Sequence, residues 1–463
     1  MVGRDYVRPP LVVPAAFKSA ALSPEAQPIG TEWWKLYGDR ELDRLIGVAR
    51  AANQNVRFAS GRVAEARALA RIAASYLVPT ITLDPTFTRQ RTSGNRVSTF
   101  TGAPVTRGVS ISDWLVPFDL SYEVDLWGRL RRNLESARAT ETAIVYDLAF
   151  VRLVVETDVA LYYFTLRSLD AQGQILEKTV AAYQEQVRLV TAQLRHGLAN
   201  PVALYQAQAL LDATIAQARD VARARADEEH ALAILCGQAA PSFSITANPL
   251  GEARPPVVPA GVPAELLSRR PDVAEAEQNL IAVNAQVGVA MADFYPRFTI
   301  GASAGVESTT ASSLFDWESR IASIVPGVMQ PMFTGGRIRA NVEATRARYE
   351  QAKAAYVSQV LVAYGEVEDA LTDVAALAAE VESLKRAVGA SERYVRAAEV
   401  QYRQGLADYL VVTDAQRTLL GNELSLAQAR NLQVGASIRL VKALGGGWET
   451  PGPSGGPSGG TGE

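Results

Sequence analysis

Gly128-Arg129-Leu130-Arg131-Arg132-Asn133-Leu134-Glu135 returns later in the chain as Gly336-Arg337-Ile338-Arg339-Ala340-Asn341-Val342-Glu343. The offset is 336 − 128 = 208 residues. A second pair keeps it: Arg195-His196-Gly197-Leu198-Ala199 returns as Arg403-Gln404-Gly405-Leu406-Ala407, and 405 − 197 is again 208. Register held without a gap over 197 − 128 = 69 residues fits one long helix in each half, because an insertion would rotate every later side chain off its face. The chain reads as a duplicated unit containing a long helical hairpin. Duplication on this scale suits a ring or tube, to which each half contributes an equivalent share of wall.

Composition narrows the function classes. At 463 residues and 48% hydrophobic content the length alone fits two or three domains, but the repeat argues for one elongated body. A net charge of −3 gives no basic field for nucleic acid. The single cysteine, Cys236, excludes an internal disulfide framework and any cysteine zinc cluster. His196 and His230 are the only histidines and have no nucleophile and acid arranged nearby in sequence. Gly335-Gly336 and Gly445-Gly446-Gly447 lack the spacing of a phosphate loop. No enzyme, cofactor or metal site is expected. No apolar run is long enough for a transmembrane helix; the stretch from Ala143 to Phe164 is broken by Asp147, Arg152, Glu156 and Asp158. Met1-Val2-Gly3-Arg4-Asp5 lacks the apolar core of a signal peptide.

Along the chain, residues 1–30 carry several prolines and should be extended. Residues 31–238 form the first repeat, 239–264 a proline-rich connector, 265–444 the second repeat, and 445–463 a disordered tail rich in Gly, Pro and Ser. A helix is expected from Arg40 to Tyr76 with a break near Asn53-Gln54-Asn55. After Pro79 the period changes: Ile81, Leu83, Pro85 and Phe87 alternate with Thr80, Thr82, Asp84, Thr86 and Thr88. A polar loop follows from Arg89 to Gly108, and alternation resumes at Trp114, Val116, Phe118, Leu120 and Tyr122. This first β-hairpin, about 80–123, leads into a helical hairpin at 129–238, with an interruption expected near Asp170 and Gly173. The second half repeats the plan, with strands at Phe298 to Val306 and Ile321 to Phe333 in a hairpin of about 297–333, then a helical hairpin at 337–444. Each first helix, of about 68 residues, would be roughly 100 Å long.

From Ile338 to Val388 the apolar or small positions recur in steps of four and three with one extra four. Fourteen steps over 388 − 338 = 50 residues average about 3.57, between supercoiled 3.5 and straight 3.6. Nearly straight helices pack side by side into a wide cylinder; this stripe alone also fits an antiparallel coiled coil.

The strands carry the membrane argument. Apolar/polar alternation with aromatic edges marks a transmembrane barrel strand, and also a soluble sandwich strand. Four strands cannot close a barrel alone, and beside such long helices they have nothing to pack on. An oligomeric barrel meets both difficulties. Arg129, Arg131, Arg337 and Arg339 sit in the first turn of their helices, where the macrodipole disfavours cations. They follow Trp127 and Phe333 at the strand ends, where lipid phosphates would be available; a solvated charge run is the alternative. At the turns, Gly197 and Gly405 suit left-handed caps, Arg195 and Arg403 suit helix C-termini, and Asn200-Pro201 and Asp408 suit the following N-termini.

Gly3-Arg4-Asp5-Tyr6-Val7-Arg8-Pro9, Trp33-Trp34, and the run from Leu266-Leu267-Ser268-Arg269-Arg270-Pro271-Asp272 to Glu277 resemble TolC-like outer-membrane efflux proteins of the OprM/NodT branch. Asn284-Ala285, Phe294-Tyr295-Pro296 and the two arginine-glycine turns match as well, so the resemblance covers about Gly3 to Trp448. It implies a mainly α fold with a membrane β-barrel portion. Three copies would share one twelve-stranded outer-membrane barrel, four strands from each, above a periplasmic α-barrel of helical hairpins. The implied partners are a periplasmic adaptor, an inner-membrane RND-type transporter and outer-membrane lipid.

The resemblance also places residues. Arg195, Gly197, Leu198, Ala199, Arg403, Gly405, Leu406 and Ala407 fall at the periplasmic end where adaptors dock. Leu410 and Asp414, four apart and so on one helix face, fall at the closing end of the tunnel, where packing and first-turn electrostatics are the alternative reading. The branch begins with a lipidated cysteine where Met1-Val2 stands here, so a native lipid anchor is expected and absent from this chain. The function implied is a passive exit duct for drugs or other small molecules, with metal-ion efflux or protein secretion as the nearest alternatives. A periplasmic coiled-coil adaptor is the rival of another class, but it would carry a single hairpin flanked by lipoyl-like and barrel domains.

Overall fold

A computed structural model describes residues 1–11, 13–18, 29–97, 104–105, 107–198, 200–251, 255–256 and 269–447. Ala199, Leu266-Leu267-Ser268, parts of the 239–264 connector and of the 1–30 segment, and the tail from 448 lie outside the described residues. The elements are α1 (Arg40–Ala52), α2 (Gln54–Ser75), β1 (Thr80–Leu83), β2 (Thr86–Arg91), β3 (Arg96–Val97), β4 (Pro104–Val105) and β5 (Ser110–Val124). There follow α3 (Arg129–Arg195), α4 (Pro201–Leu235), α5 (Pro271–Ala292), β6 (Arg297–Ser308), β7 (Arg320–Met329), α6 (Arg337–Arg403) and α7 (Tyr409–Ala443). α3 and α6 are each 67 residues long and α4 and α7 each 35, so the two repeats match to the residue. No described helix is long and apolar enough to cross a membrane.

The chain divides into two compact units. The first comprises 1–10, 63–143 and 276–356 and holds the main sheet, in the order β1-β5-β6-β7 with β2 also on β5. Every pair is antiparallel. β1 and β2 are one strand path, because the paired residue numbers sum to 201 in both: Thr80 with Ser121, and Arg91 with Ser110. Asp84-Pro85 interrupts the path without shifting its register. Among the described residues the sheet thus has five strands, two of which, β1 and β2, share one path beside β5. β3 and β4 form a separate two-stranded ribbon within the stretch expected to be loop.

β7 departs from expectation at its end. It stops at Met329 rather than Phe333, and Pro331, which lacks an N–H, stands just beyond. Pro117 lies inside the central strand β5, where its missing donor ordinarily excludes it. Gly305 sits opposite and leaves the room: a Cβ there would lie 2.1 Å from the Val116 carbonyl oxygen.

The second unit comprises 11–62, 144–275 and 357–463. Its packing centres on α7, which buries Val434, Ala436, Ile438 and Val441 among others. Leu420 and Leu424 meet Leu176 of α3, while Leu426 and Ala429 meet Val381 of α6. The interruption expected near Asp170 and Gly173 does not occur. Asp170 accepts from Arg225 at 2.7 Å and from the Asn248 amide at 2.9 Å, so its carboxylate is satisfied by outside donors instead of competing for its own backbone. Asn53 divides α1 from α2 as expected, its side chain accepting from the Asn55 and Val56 amides. Gly445 and Gly446, which composition assigns to the tail, are buried instead. Each has positive φ, and a Cβ at Gly445 would lie 2.2 Å from the Arg269 carbonyl oxygen.

Candidate functional site

Register converts the strand periodicity into two surfaces. Phe87, Trp114, Phe118, Leu120 and Tyr122 share one face with Ile300, Ala302, Ala304, Ile324 and Val328. Phe87 and Trp114 touch, with ring centroids 4.4 Å apart. The opposite face carries Thr82, Thr88, Asp113, Asp119, Glu123, Thr299, Ser303 and Glu307. Ile324 is 76% exposed and Phe118 54%, so no described residue covers the apolar face. Among the described residues β1/β2 and β7 are the two edges, each with an unpaired row of backbone groups.

At the foot of the sheet the structure explains two of the four first-turn arginines locally. Arg129 forms a two-pronged ion pair with Glu123, at 3.0 and 2.7 Å. Asp125 accepts from the Leu130 and Arg131 amides and from the Arg131 guanidinium at 3.1, 3.0 and 3.2 Å, so an N-terminal cap compensates for the cations at this helix start. Burial pushes the Asp125 carboxyl pKa up, but these hydrogen bonds outweigh it and hold the group below its ordinary value. Trp127 stacks on Tyr295 at 4.7 Å and donates its indole N–H to the Pro296 carbonyl. Arg337 and Arg339 are exposed and have no ion pair among the described residues. The sequence marks all four arginines alike, but only two carry the acids that answer them.

In the second unit the two hairpin turns come together. Leu198 N–H donates to Gln193 O and Gly197 N–H to Leu194 O; Leu406 N–H donates to Gln401 O and Gly405 N–H to Tyr402 O. Each contact is the other shifted by 208. Both are Schellman caps, with φ of 71° at Gly197 and 72° at Gly405. The Tyr402 hydroxyl donates to Gln193 Oε1 at 3.1 Å, and Val190, Ala207, Ala398, Tyr409, Val412 and Ala415 form one core beneath the turns. Leu198 and Leu406 stand out at 78% and 74% exposure. Arg195 and Arg403 are exposed, and Arg403 lies 3.6 Å from Glu399. Asn200 caps α4 through the Val202 amide, but Asp408, expected to cap α7, accepts no such bond. Ala407 is half-buried beside it.

Leu410 is 60% exposed and Asp414 lies one turn on along the same exposed face of α7. Leu410 is thus not packed between helices among the described residues of this chain. The Tyr394 hydroxyl of α6 donates to Asp414 at 3.2 Å. Sequence reasoning missed this partner, which lies 414 − 394 = 20 residues away across the turn between α6 and α7.

A second omission is Arg270. Its guanidinium is almost wholly buried, forks onto Asp272 at 3.0 and 2.5 Å, and reaches Glu366 at 2.6 Å and the Ala443 carbonyl at 3.2 Å. Gln359 donates to the same Asp272 at 2.7 Å. One side chain thus ties the start of α5 to α6 and to the end of α7. Sequence signalled it only as part of a matched motif.

The model of the family described as "Outer membrane efflux protein" matches residues 45–238 and 262–446. The pyoverdine export outer membrane protein OpmQ of Pseudomonas putida is 31% identical over 95% of this chain and 93% of its own length. The solvent efflux pump outer membrane protein SrpC of Pseudomonas putida is 32% identical over 91% of this chain and 88% of its own. Among solved structures, the outer-membrane channel OprN superposes with a TM-score of 0.90 at 29% identity, covering 97% of this chain and all of that one.

Proposed function

The chain belongs to the outer membrane efflux protein family, and from that premise we propose that it is the passive exit duct of a tripartite pump for drugs or other small molecules. The sheet carries this reading furthest. Among the described residues its apolar face has no cover, its opposite face is mainly polar, and both edges are open. A membrane tolerates such a sheet only when the edges pair, so three copies close one barrel of twelve strand places, with lipid outside and water within. The helical hairpins of three copies likewise enclose the tunnel. Trp127, Arg129, Arg131, Arg337 and Arg339 mark the level of the lipid headgroups, with the exposed pair Arg337 and Arg339 free to meet phosphate. A native lipid anchor ahead of this chain fits that level, since the Val2 amide is hydrogen-bonded to Trp127 O.

The paired turns form the adaptor-docking tip, where Leu198 and Leu406 offer two equivalent apolar knobs beside Arg195, Gly197, Arg403, Gly405 and Ala407. An inner-membrane RND-type transporter supplies the energy, and no step of bond chemistry is assigned to the duct. Leu410 and Asp414 form the gate. Threefold symmetry makes each a ring, one apolar and one acidic, and clustered carboxylates focus a negative potential that favours cations. Conductance in planar bilayers tests the duct and its gate together. The parent should form small, cation-selective channels; Leu410→Ala should raise the closed-state conductance several-fold, and Asp414→Ala should weaken the cation preference. A parent that forms no channel contradicts the duct, and variants that conduct like the parent move the gate elsewhere.

A further inference from the structure

Below the strand ends, the first unit contains a cavity of about 630 Å3 that conduction leaves unused. Arg4, Asn284, Val287, Met291, Arg346 and Tyr349 line it. The N-terminal segment forms one wall and is held closely. The Asn284 amide donates to Arg4 O at 3.1 Å, and Gly3 sits so near α5 that a Cβ there would lie 2.8 Å from the Gly288 Cα. Two acids also reach the cavity, but Asp5 is engaged by Arg132 at 2.7 Å and Glu350 lies 3.8 Å from Lys353. Neither Arg4 nor Arg346 has an ion pair among the described residues.

Arg4 and Arg346 are exposed and both line the cavity, so an anion seated there could be met by two guanidinium groups. Phosphate oxygens fit the planar fork best, and the Tyr349 hydroxyl is a further donor. The polarity is also ordered along the fold. Met291 stands 297 − 291 = 6 residues before β6 begins, so the apolar wall of Val287 and Met291 is the part nearer the sheet. Arg346 is 346 − 337 = 9 residues into α6, and helix side chains lean toward the N-terminus, here the sheet end.

We propose that this cavity binds the headgroup of an anionic phospholipid, with the phosphodiester between Arg4 and Arg346 and the glycerol region against Val287 and Met291. The site rests on the reading of the sheet as membrane-spanning. It would fix the height of the chain in the membrane through its own N-terminal segment.

Native mass spectrometry of the detergent-purified assembly tests it, with phosphatidylglycerol, phosphatidylcholine and inorganic phosphate as separate probes. The parent should bind phosphatidylglycerol at least tenfold more tightly than phosphatidylcholine. The double variant Arg4→Gln/Arg346→Gln should lose that preference, while Arg219→Gln on α4 should keep it. Equal phosphatidylglycerol binding by parent and double variant overturns the site. Full competition by inorganic phosphate at equal concentration overturns the lipid source in favour of a soluble phosphate. Both proteins also go into planar bilayers. A double variant that conducts like the parent shows that the membrane reading stands whatever the lipid result, whereas a parent that fails to insert strikes at that reading itself.

Discussion

Gly405→Pro should abolish drug export while leaving the yield of assembled protein unchanged. The glycine closes α6 at φ 72°, and proline is fixed near −65°. Proline also lacks the N–H that Gly405 donates to Tyr402 O at 3.0 Å. The cap cannot form, so Leu406, 74% exposed at the apex, loses the position that an adaptor would read. Nothing lies within 4 Å of a Cβ at this glycine, so the damage stays local and the core of Val190, Ala398, Tyr409 and Val412 beneath it is retained. The measurement is resistance by compound in cells carrying a cognate adaptor and transporter, alongside assembled protein in the outer-membrane fraction. Parental resistance would show that this turn does not dock the adaptor.

Arg270→Ala should act in the opposite way, on assembly before function. It strips the buried Asp272 of two of its hydrogen bonds and frees Glu366 and the Ala443 carbonyl at once. Removing one member of a buried ion pair costs about 3–5 kcal/mol, a large part of a domain's net stability. Heat-resistant assembled protein in membrane fractions should fall at least tenfold. Arg270→Lys should recover little of it, because one ammonium cannot bridge Asp272 with two parallel bonds while reaching Glu366 and the end of α7. Parental levels of assembled Arg270→Ala protein would show the cluster to be dispensable.

The contrast between these two residues shows what the sequence makes legible. Gly405 announces itself, because a glycine after a long helical stripe, repeated at offset 208, has a local reason to be there. The same holds for the start of α4 at Pro201 and for the alternation of β5. Arg270 has only one local partner, Asp272, two residues on. Its other partners Glu366 and Ala443 lie 96 and 173 residues away, so no window of sequence contains the whole cluster. Arg129 and Arg131 fall between these cases. Their charge at a helix start looks unfavourable until Glu123 and Asp125, six residues upstream, are seen to fold back onto them. The expected break at Asp170 failed for the same reason as Arg270 was missed: its ligands, Arg225 and Asn248, come from a distant turn of the chain. Strand β7 alternates poorly because Ile321 and Val325 put apolar groups on its polar face as well, so its place was settled by register with β6.

The trimer is the central proposal, since the proposed barrel, tunnel and gate all need three copies to close the edges that one chain leaves open among its described residues. Sedimentation of the detergent-solubilised protein, with the detergent contribution removed, measures it directly. A single species of three 49.7 kDa chains that persists on dilution is the expected result. A stable monomer would contradict it, because the open edges of β1/β2 and β7 could not then persist in a membrane.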